Sequence, residues 1–242
     1  MLKIFITATD TDAGKTYAAQ ALVNAFVVNN IKVAVYKPIS AGCQYVNNEL
    51  VNEDALLLLK QANCQQTVLQ INPIAFEPAI APHIAAIQLQ QTINLTDIKQ
   101  GYDDIIALEP EIIICEGAGG WRLPLGHGNY LSEFVQATQQ NVILIVNMKL
   151  GCLNHAILTY QAIVADGLNC LGWIANCPES MPYLTENIAE LTELLPVPKL
   201  AELAFEQDIK QAAKKINISL ITEQFNLTSV TQVNLTNSYK YF

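Results

Sequence analysis

Thr7-Ala8-Thr9-Asp10-Thr11-Asp12-Ala13-Gly14-Lys15-Thr16 is the stretch on which the reading of this chain turns. It follows an apolar, β-branched run, Lys3 to Thr7, and leads directly into an amphipathic segment, Lys15 to Val28. Strand, glycine-containing turn and helix in that order form the context in which a phosphate-binding loop works. Gly14 lets the backbone approach phosphate oxygens, and the helix N-terminus offers unpaired amides. Lys15 supplies a point charge, and the Thr16 hydroxyl is a magnesium ligand by chemistry. The first glycine of G-x-x-x-x-G-K-T is replaced by Thr9, with Ala8 before it. An isolated Gly-Lys-Thr often does no more than open a helix. The preceding strand and the acidic residues found further along favour a nucleotide.

Outward from this loop the same rhythm repeats. Lys32 to Tyr36, Glu111 to Cys115, Val142 to Asn147 and Cys170 to Ala175 read as strands. Glu53 to Gln61, Leu95 to Leu108, Tyr130 to Ala137, Asn154 to Ala165 and Met181 to Leu194 read as helices. Strands apolar on both faces and separated by helices require a mostly parallel sheet covered on both sides, a doubly wound α/β architecture of the P-loop NTPase kind. A single domain over residues 1–216 is expected, with 217–242 as a peripheral tail because the composition turns polar there. The proline-bearing segment 70–93 departs from the rhythm and reads as a lid or interface loop.

Composition narrows the function. The 242 residues are 51% hydrophobic, enough to bury a large core. Acidic residues outnumber basic ones 22 to 13, for a formal charge of -9, so no broad positive field exists to hold nucleic acid or an anionic membrane. A nucleotide must then be held by local devices. The cysteines at 43, 64, 115, 152, 170 and 177 show no C-x-x-C spacing, and the N-terminal apolar run is too short for a signal peptide core. The expected compartment is the cytoplasm.

Two further residues complete the candidate phosphate site. Glu116 follows the apolar strand ending at Cys115 and precedes Gly117-Ala118-Gly119-Gly120, the place for a carboxylate that helps to hold magnesium. Lys37 ends the second strand beside Pro38, which keeps it extended toward the same sheet edge. His83, His127 and His155 lack metal-ligand spacing, and no base is partnered with Cys152, so zinc and thiol chemistry are not expected.

These motifs, together with Asn52-Glu53-Asp54-Ala55-Leu56, Pro82-His83, Lys149-Leu150-Gly151-Cys152-Leu153-Asn154-His155 and Gly172-Trp173-Ile174-Ala175-Asn176, stand in an order that resembles dethiobiotin synthetase. The resemblance runs from the start of the chain to about residue 205. It implies a homodimeric, ATP- and magnesium-dependent cyclo-ligase that joins 7,8-diaminopelargonate and carbon dioxide into a cyclic urea. By position it implies magnesium on Thr16, Asp54 and Glu116. Nucleotide contacts would come from Asp12, Ala13, Gly14, Lys15, Thr16, Tyr17, Asp54, Glu116, Gly117, Ala118, Gly119, Asn176, Cys177 and Ala204, with Asn176 reading the adenine. Lys37 and Lys15 would be catalytic. Thr11, Lys37 and Ala41 would meet the substrate, and Gly151, Cys152 and Asn154 of the partner subunit would receive its carboxylate.

Three positions depart from the family pattern: Ala8 replaces a glycine, Ala41 stands where a substrate-contacting serine is expected with Ser40 one residue earlier, and Asn187 stands where some members carry a tyrosine, with Tyr183 one turn before it. Two other readings compete. A partition- or septum-type switch ATPase shares the sheet but carries an extra lysine early in the loop, where this chain has Ala8-Thr9-Asp10. An inactive nucleotide-binding module is disfavoured by the full set Lys15, Thr16, Lys37, Asp54 and Glu116.

Overall fold

The computed structural model describes residues 1–204 and 208–225. Six strands form the main sheet: β1 (Leu2–Ala8), β2 (Val33–Tyr36), β3 (Ile112–Glu116), β4 (Asn141–Asn147), β5 (Cys170–Cys177) and β6 (Lys199–Ala204), in the order β6-β5-β4-β1-β3-β2. Every pairing in it is parallel. The helices are α1 (Lys15–Val27), α2 (Glu53–Gln61), α3 (Val68–Ile71), α4 (Pro82–Gln88), α5 (Leu95–Ile106), α6 (Leu131–Ala137), α7 (Cys152–Ala165), α8 (Leu184–Leu194), α9 (Ile209–Lys214) and α10 (Ser219–Thr222). This is the expected α/β architecture.

Alternation along the strands splits the core in two. Ile4 and Ile6 of β1, Ile112 and Ile114 of β3, and Ile143 and Ile145 of β4 face one side, where Leu22 and Phe26 of α1, Leu58 of α2 and Ile221 of α10 cover them. Phe5, Ile113, Cys115 and Leu144 face the other side, under Tyr102 of α5, Phe134 of α6, Ile163 of α7 and Leu191 of α8. Both faces being dry explains why the strands read as continuous apolar runs. At the end of β2, Tyr36 stacks against Tyr102 at 5.6 Å between centroids and donates its hydroxyl to the Ile98 carbonyl at 2.8 Å, which anchors the residue just before Lys37.

Several expectations shift at the ends. The α7 helix begins at Cys152 rather than Asn154, because Gly151 at φ 94° opens it. The α8 helix begins at Leu184 rather than Met181, because Tyr183 at φ 55° breaks the helical path before it. Strand β6 was not anticipated. Its polar Lys199 and Glu202 and the preceding Pro198 mask it, and among the described residues it is an edge strand paired with β5 alone. Segment 70–93 is more ordered than a loop: Ile74–Phe76 pairs in parallel with Ile39–Ala41, and Pro82–Gln88 is α4. Packing also continues past residue 216. The Asn217 amide donates to the Leu200 carbonyl at 2.9 Å, and Ile221 is fully buried. Residues 226–242 of the expected tail lie outside the described residues.

Gly172 in β5 is a point of close approach. A Cβ there would stand 2.5 Å from the Pro198 carbonyl oxygen and 2.8 Å from the Leu200 side chain. Gly172→Ala is therefore expected to force β5 and β6 apart and to cost about 1–3 kcal/mol of stability, as overpacking does. Urea unfolding measures this, and an unchanged midpoint would contradict it.

Candidate active site

The carboxyl ends of β1, β2 and β3 open into one cleft of ≈ 830 Å³. In a parallel sheet this edge, where the strand order reverses around β1, is where ligands gather. From the set expected on sequence grounds, Thr11, Asp12, Gly14, Lys15, Thr16, Tyr17, Lys37, Ala41, Asp54, Glu116, Ala118 and Gly119 all line it. Ser40, Asn52, Ala79, Ile80, Ala81, Pro82 and Leu123 line it as well. Ala79 to Pro82 belong to the segment read as a lid, and of these only Pro82 fell in a quoted motif, Pro82-His83.

The loop after β1 is built tightly. Gly14 has φ 83°, a left-handed conformation, and a Cβ on it would lie 2.1 Å from Nδ2 of Asn176, so only glycine fits. Asn176, buried at the end of β5, donates that Nδ2 to the Ala13 carbonyl at 2.9 Å and so braces the loop from behind. Thr9, at the missing glycine position, continues the sheet edge: its amide donates to Ile145 O at 3.0 Å, and its hydroxyl accepts from the Asn147 amide at 3.3 Å. Lys149 pairs with Asp10 at 2.7 Å on the outer side of the loop and pulls that carboxyl below its usual range.

The chemistry concentrates around one carboxylate. Glu116, 1% exposed, accepts on Oε1 from the Thr16 hydroxyl at 2.7 Å and from the Lys37 ammonium at 2.7 Å. Lys37, 3% exposed, also meets Asp54 Oδ2 at 3.2 Å. Burial opposes the Lys37 charge, but Glu116 and Asp54 together outweigh it and leave its pKa raised. Among the described residues Lys15 carries no such pair. It donates to the Asp10 carbonyl at 3.2 Å, and burial, only partly offset by Glu116, lowers its pKa. Asp54 sits in the first turn of α2, which Asn52 caps by accepting from the Ala55 amide at 3.3 Å.

Glu116 Oε2 is buried without a hydrogen-bond partner. An orphaned carboxylate oxygen beside a hydroxyl and a second carboxylate is a fit for a hard, oxygen-seeking divalent cation. A softer metal is not invited. Among the described residues no three His, Cys, Asp or Glu side chains cluster to hold a metal, and burial raises the Cys115 and Cys152 thiols.

Some expected residues sit elsewhere. Ala13 and Gly117 lie behind the cleft wall, and Ala204 at the end of β6 accepts from the Tyr17 hydroxyl at 3.0 Å. Cys177 ends β5 beside it, paired in register with Ala204. Gly151, Cys152 and Asn154 are not part of the cleft of their own chain. Gly151 and Asn154 are exposed at the start of α7, next to Leu150, which is 95% exposed. Tyr183 and Asn187 are also outside it, and Asn187 donates to the Tyr183 carbonyl at 2.7 Å. Ser40 cannot donate its hydroxyl to a ligand in place of Ala41, because that proton goes to Asn72 Oδ1 at 2.6 Å.

Comparison with known proteins bears on the family and the fold. A family model described as an AAA domain matches residues 2–213. ATP-dependent dethiobiotin synthetase BioD of Alteromonas mediterranea is 45% identical over 87% of this chain and 95% of its own. The protein of the same name from Aeromonas salmonicida is 46% identical over 83% and 89%. Among solved structures, the septum site-determining protein MinD complexed with Mg-ADP from Pyrococcus horikoshii superposes with a TM-score of 0.55, covering 95% of this chain and 98% of that one at 16% identity. The MinC:MinD complex of Aquifex aeolicus gives 0.55 at 11% identity, over 100% of this chain and 99% of that one. The structural likeness is one of fold alone, and the sequence match, which covers most of this chain and of its relatives, decides the family: the chain belongs to the ATP-dependent dethiobiotin synthetase family.

Proposed function

We propose that the protein closes a cyclic urea on 7,8-diaminopelargonate with carbon dioxide at the expense of ATP, giving dethiobiotin, ADP and phosphate. One observation carries this reading. The phosphate loop, two lysines and the carboxylates Asp54 and Glu116 share a single cleft whose far wall, Ala41, Ala79, Ile80, Ala81 and Leu123, is apolar enough for an aliphatic chain.

The chemistry asks for positioning and charge rather than a covalent enzyme intermediate. One amine adds to carbon dioxide to give a carbamate. The carbamate oxygen takes the γ-phosphoryl group from ATP, and the second amine then displaces phosphate as the ring closes. Lys15 and Lys37 line the same cleft as the phosphate loop and the apolar residues, so Lys15 would face phosphate oxygens and Lys37 the developing carbamate charge. Thr16, Asp54 and Glu116 are the residues that would hold magnesium, which supplies neutralisation of the phosphate oxygens when bound. Asn176, Cys177 and Ala204 border the loop on the β5–β6 side and are the candidates to face the adenine. Losing a charge aimed at the transition state typically costs about 3 kcal/mol or more.

The substrate's distal carboxylate is met by a second copy of the chain. The N-terminus of α7 has no acidic residue in its first turn and no side-chain cap, and it stands beside the exposed Leu150. The positive end of the helix dipole there suits a carboxylate. A homodimer would bring Gly151, Cys152 and Asn154 of one subunit to the apolar end of the other's cleft. The unpaired cysteines among the described residues fit a reducing cytoplasm, and no described helix is long and apolar enough to cross a membrane.

With ATP, magnesium, bicarbonate and the diamine, phosphate release is expected to depend on the diamine and to match dethiobiotin one for one. Release at the same rate without diamine would contradict the reading. In the same assay Lys37→Ala is expected to abolish ring closure while ATP affinity, read by calorimetry, changes less than about threefold. Asn154→Asp places a like charge at the carboxylate site and is expected to raise KM for the diamine at least about tenfold, leaving KM for ATP within about twofold. Equal effects on both substrates would remove α7 from the substrate site.

A further inference from the structure

Lys37 follows the last residue of β2 in register with the main sheet, since the β2–β3 pairing ends at Tyr36 opposite Cys115. Pro38 comes next and brings no N–H. The peptide of the buried lysine must therefore find partners outside the sheet, because unpaired buried amides and carbonyls are costly. Both partners come from the turn after α3. The Lys37 amide donates to the Ile71 carbonyl at 2.8 Å, and the Lys37 carbonyl accepts from Asn72 Nδ2 at 2.7 Å.

We propose that Asn72 is a positioning residue for Lys37: its side-chain amide stands in for a missing sheet partner and sets the direction in which the lysine leaves the backbone. The proposal rests on the functional reading of Lys37 given above. Asn72 is itself held from three sides. It is buried, its amide nitrogen also lies 3.4 Å from the Ile74 carbonyl, and its Oδ1 accepts the Ser40 hydroxyl at 2.6 Å. Ser40 lies on the short strand Ile39–Ala41, paired in parallel with Ile74–Phe76, so the turn is clasped to the lysine's own segment on both sides. The Lys37 and Ile74 carbonyls can only accept, so they fix which end of the Asn72 amide is nitrogen and leave its oxygen to the Ser40 hydroxyl.

Asn72 does not line the cleft. Its action is leverage: a lysine ammonium stands about 6 Å from its Cα, so a tilt of about 10° at the backbone displaces the charge by about 1 Å. A misplacement of that size costs on the order of 100-fold in rate. Glu116 and Asp54 pull the ammonium at its tip, but they are also the residues assigned to magnesium. The backbone clasp is what remains to aim Lys37 when those carboxylates are engaged.

The test uses the full chain and three variants. Asn72→Ala removes the amide, Asn72→Asp removes the same donor at almost the same size, and Ser40→Ala leaves the Asn72–Lys37 bond in place. For Asn72→Ala, kcat for diamine-dependent phosphate release is expected to fall on the order of 100-fold with KM for ATP within about twofold. In a Lys37→Ala background the same change is expected to add nothing to the residual rate, since both act through one group. The nitrogen-15 signal of the buried Lys37 ammonium, assigned by its loss in Lys37→Ala, is expected to shift or broaden in Asn72→Ala and to stay in place in Ser40→Ala. Asn72→Asp replaces Asn72→Ala in every arm if the latter does not fold. An unchanged ammonium signal, or wild-type kcat in the variant, overturns the proposal. Full turnover in Lys37→Ala instead removes the functional reading, and the ammonium signal then still decides whether Asn72 places the lysine.

Discussion

An ammonium almost wholly withdrawn from water is tolerated only where carboxylates answer it, and much of this molecule is arranged around that condition. Lys37 finds Glu116 and Asp54 at hydrogen-bonding range. Breaking such a buried pair by removing one partner typically costs about 3–5 kcal/mol, because the survivor is left uncompensated. The three residues come from β2, α2 and β3, so their meeting requires the parallel sheet in the order found. Tyr36, packed between α5 and α6, and Asn72, at the end of α3, hold the lysine's backbone from opposite sides.

The same cluster explains why the site is ready for a cation without being built as a closed metal cage. Thr16 and Lys37 share one oxygen of Glu116, and the other oxygen is left buried and alone. Lys15, by contrast, is buried beside a backbone carbonyl and has no carboxylate in hydrogen-bonding contact. One lysine is neutralised by carboxylates, and the other, among the described residues, is not.

What could be read from the chain follows the same logic. Gly14, Lys15 and Thr16 were legible because strand, turn and helix are contiguous in sequence, and Glu116 because a glycine run follows an apolar strand. Asp54 and Asn176 carry no local signature and entered only through the family resemblance. Ile80 was invisible as a site residue because it follows the pairing of Ile39–Ala41 with Ile74–Phe76, a contact between distant segments, and Leu123 because no local pattern marks it. Asn72 escaped for the same reason, since its partners are 32 and 35 residues away. Strand β6 was missed because an edge strand with Lys199 and Glu202 lacks the apolar continuity of its neighbours. The departures at Thr9 and Ala41 have a local account: Thr9 extends hydrogen bonding toward β4, and the nearby Ser40 hydroxyl is spent on Asn72.

The central claim is that Thr16, Asp54, Glu116 and Lys37 converge on one metal-bound triphosphate. The most direct measurement is a crystal of the protein with manganese and a non-hydrolysable ATP analogue, read by anomalous scattering. The account predicts a single manganese peak within about 4 Å of Thr16 Oγ1 and the Asp54 and Glu116 carboxylates, directly or through water, with the γ-phosphate toward Lys37. A peak remote from Glu116, or a triphosphate that leaves the loop before α1 empty, would contradict it.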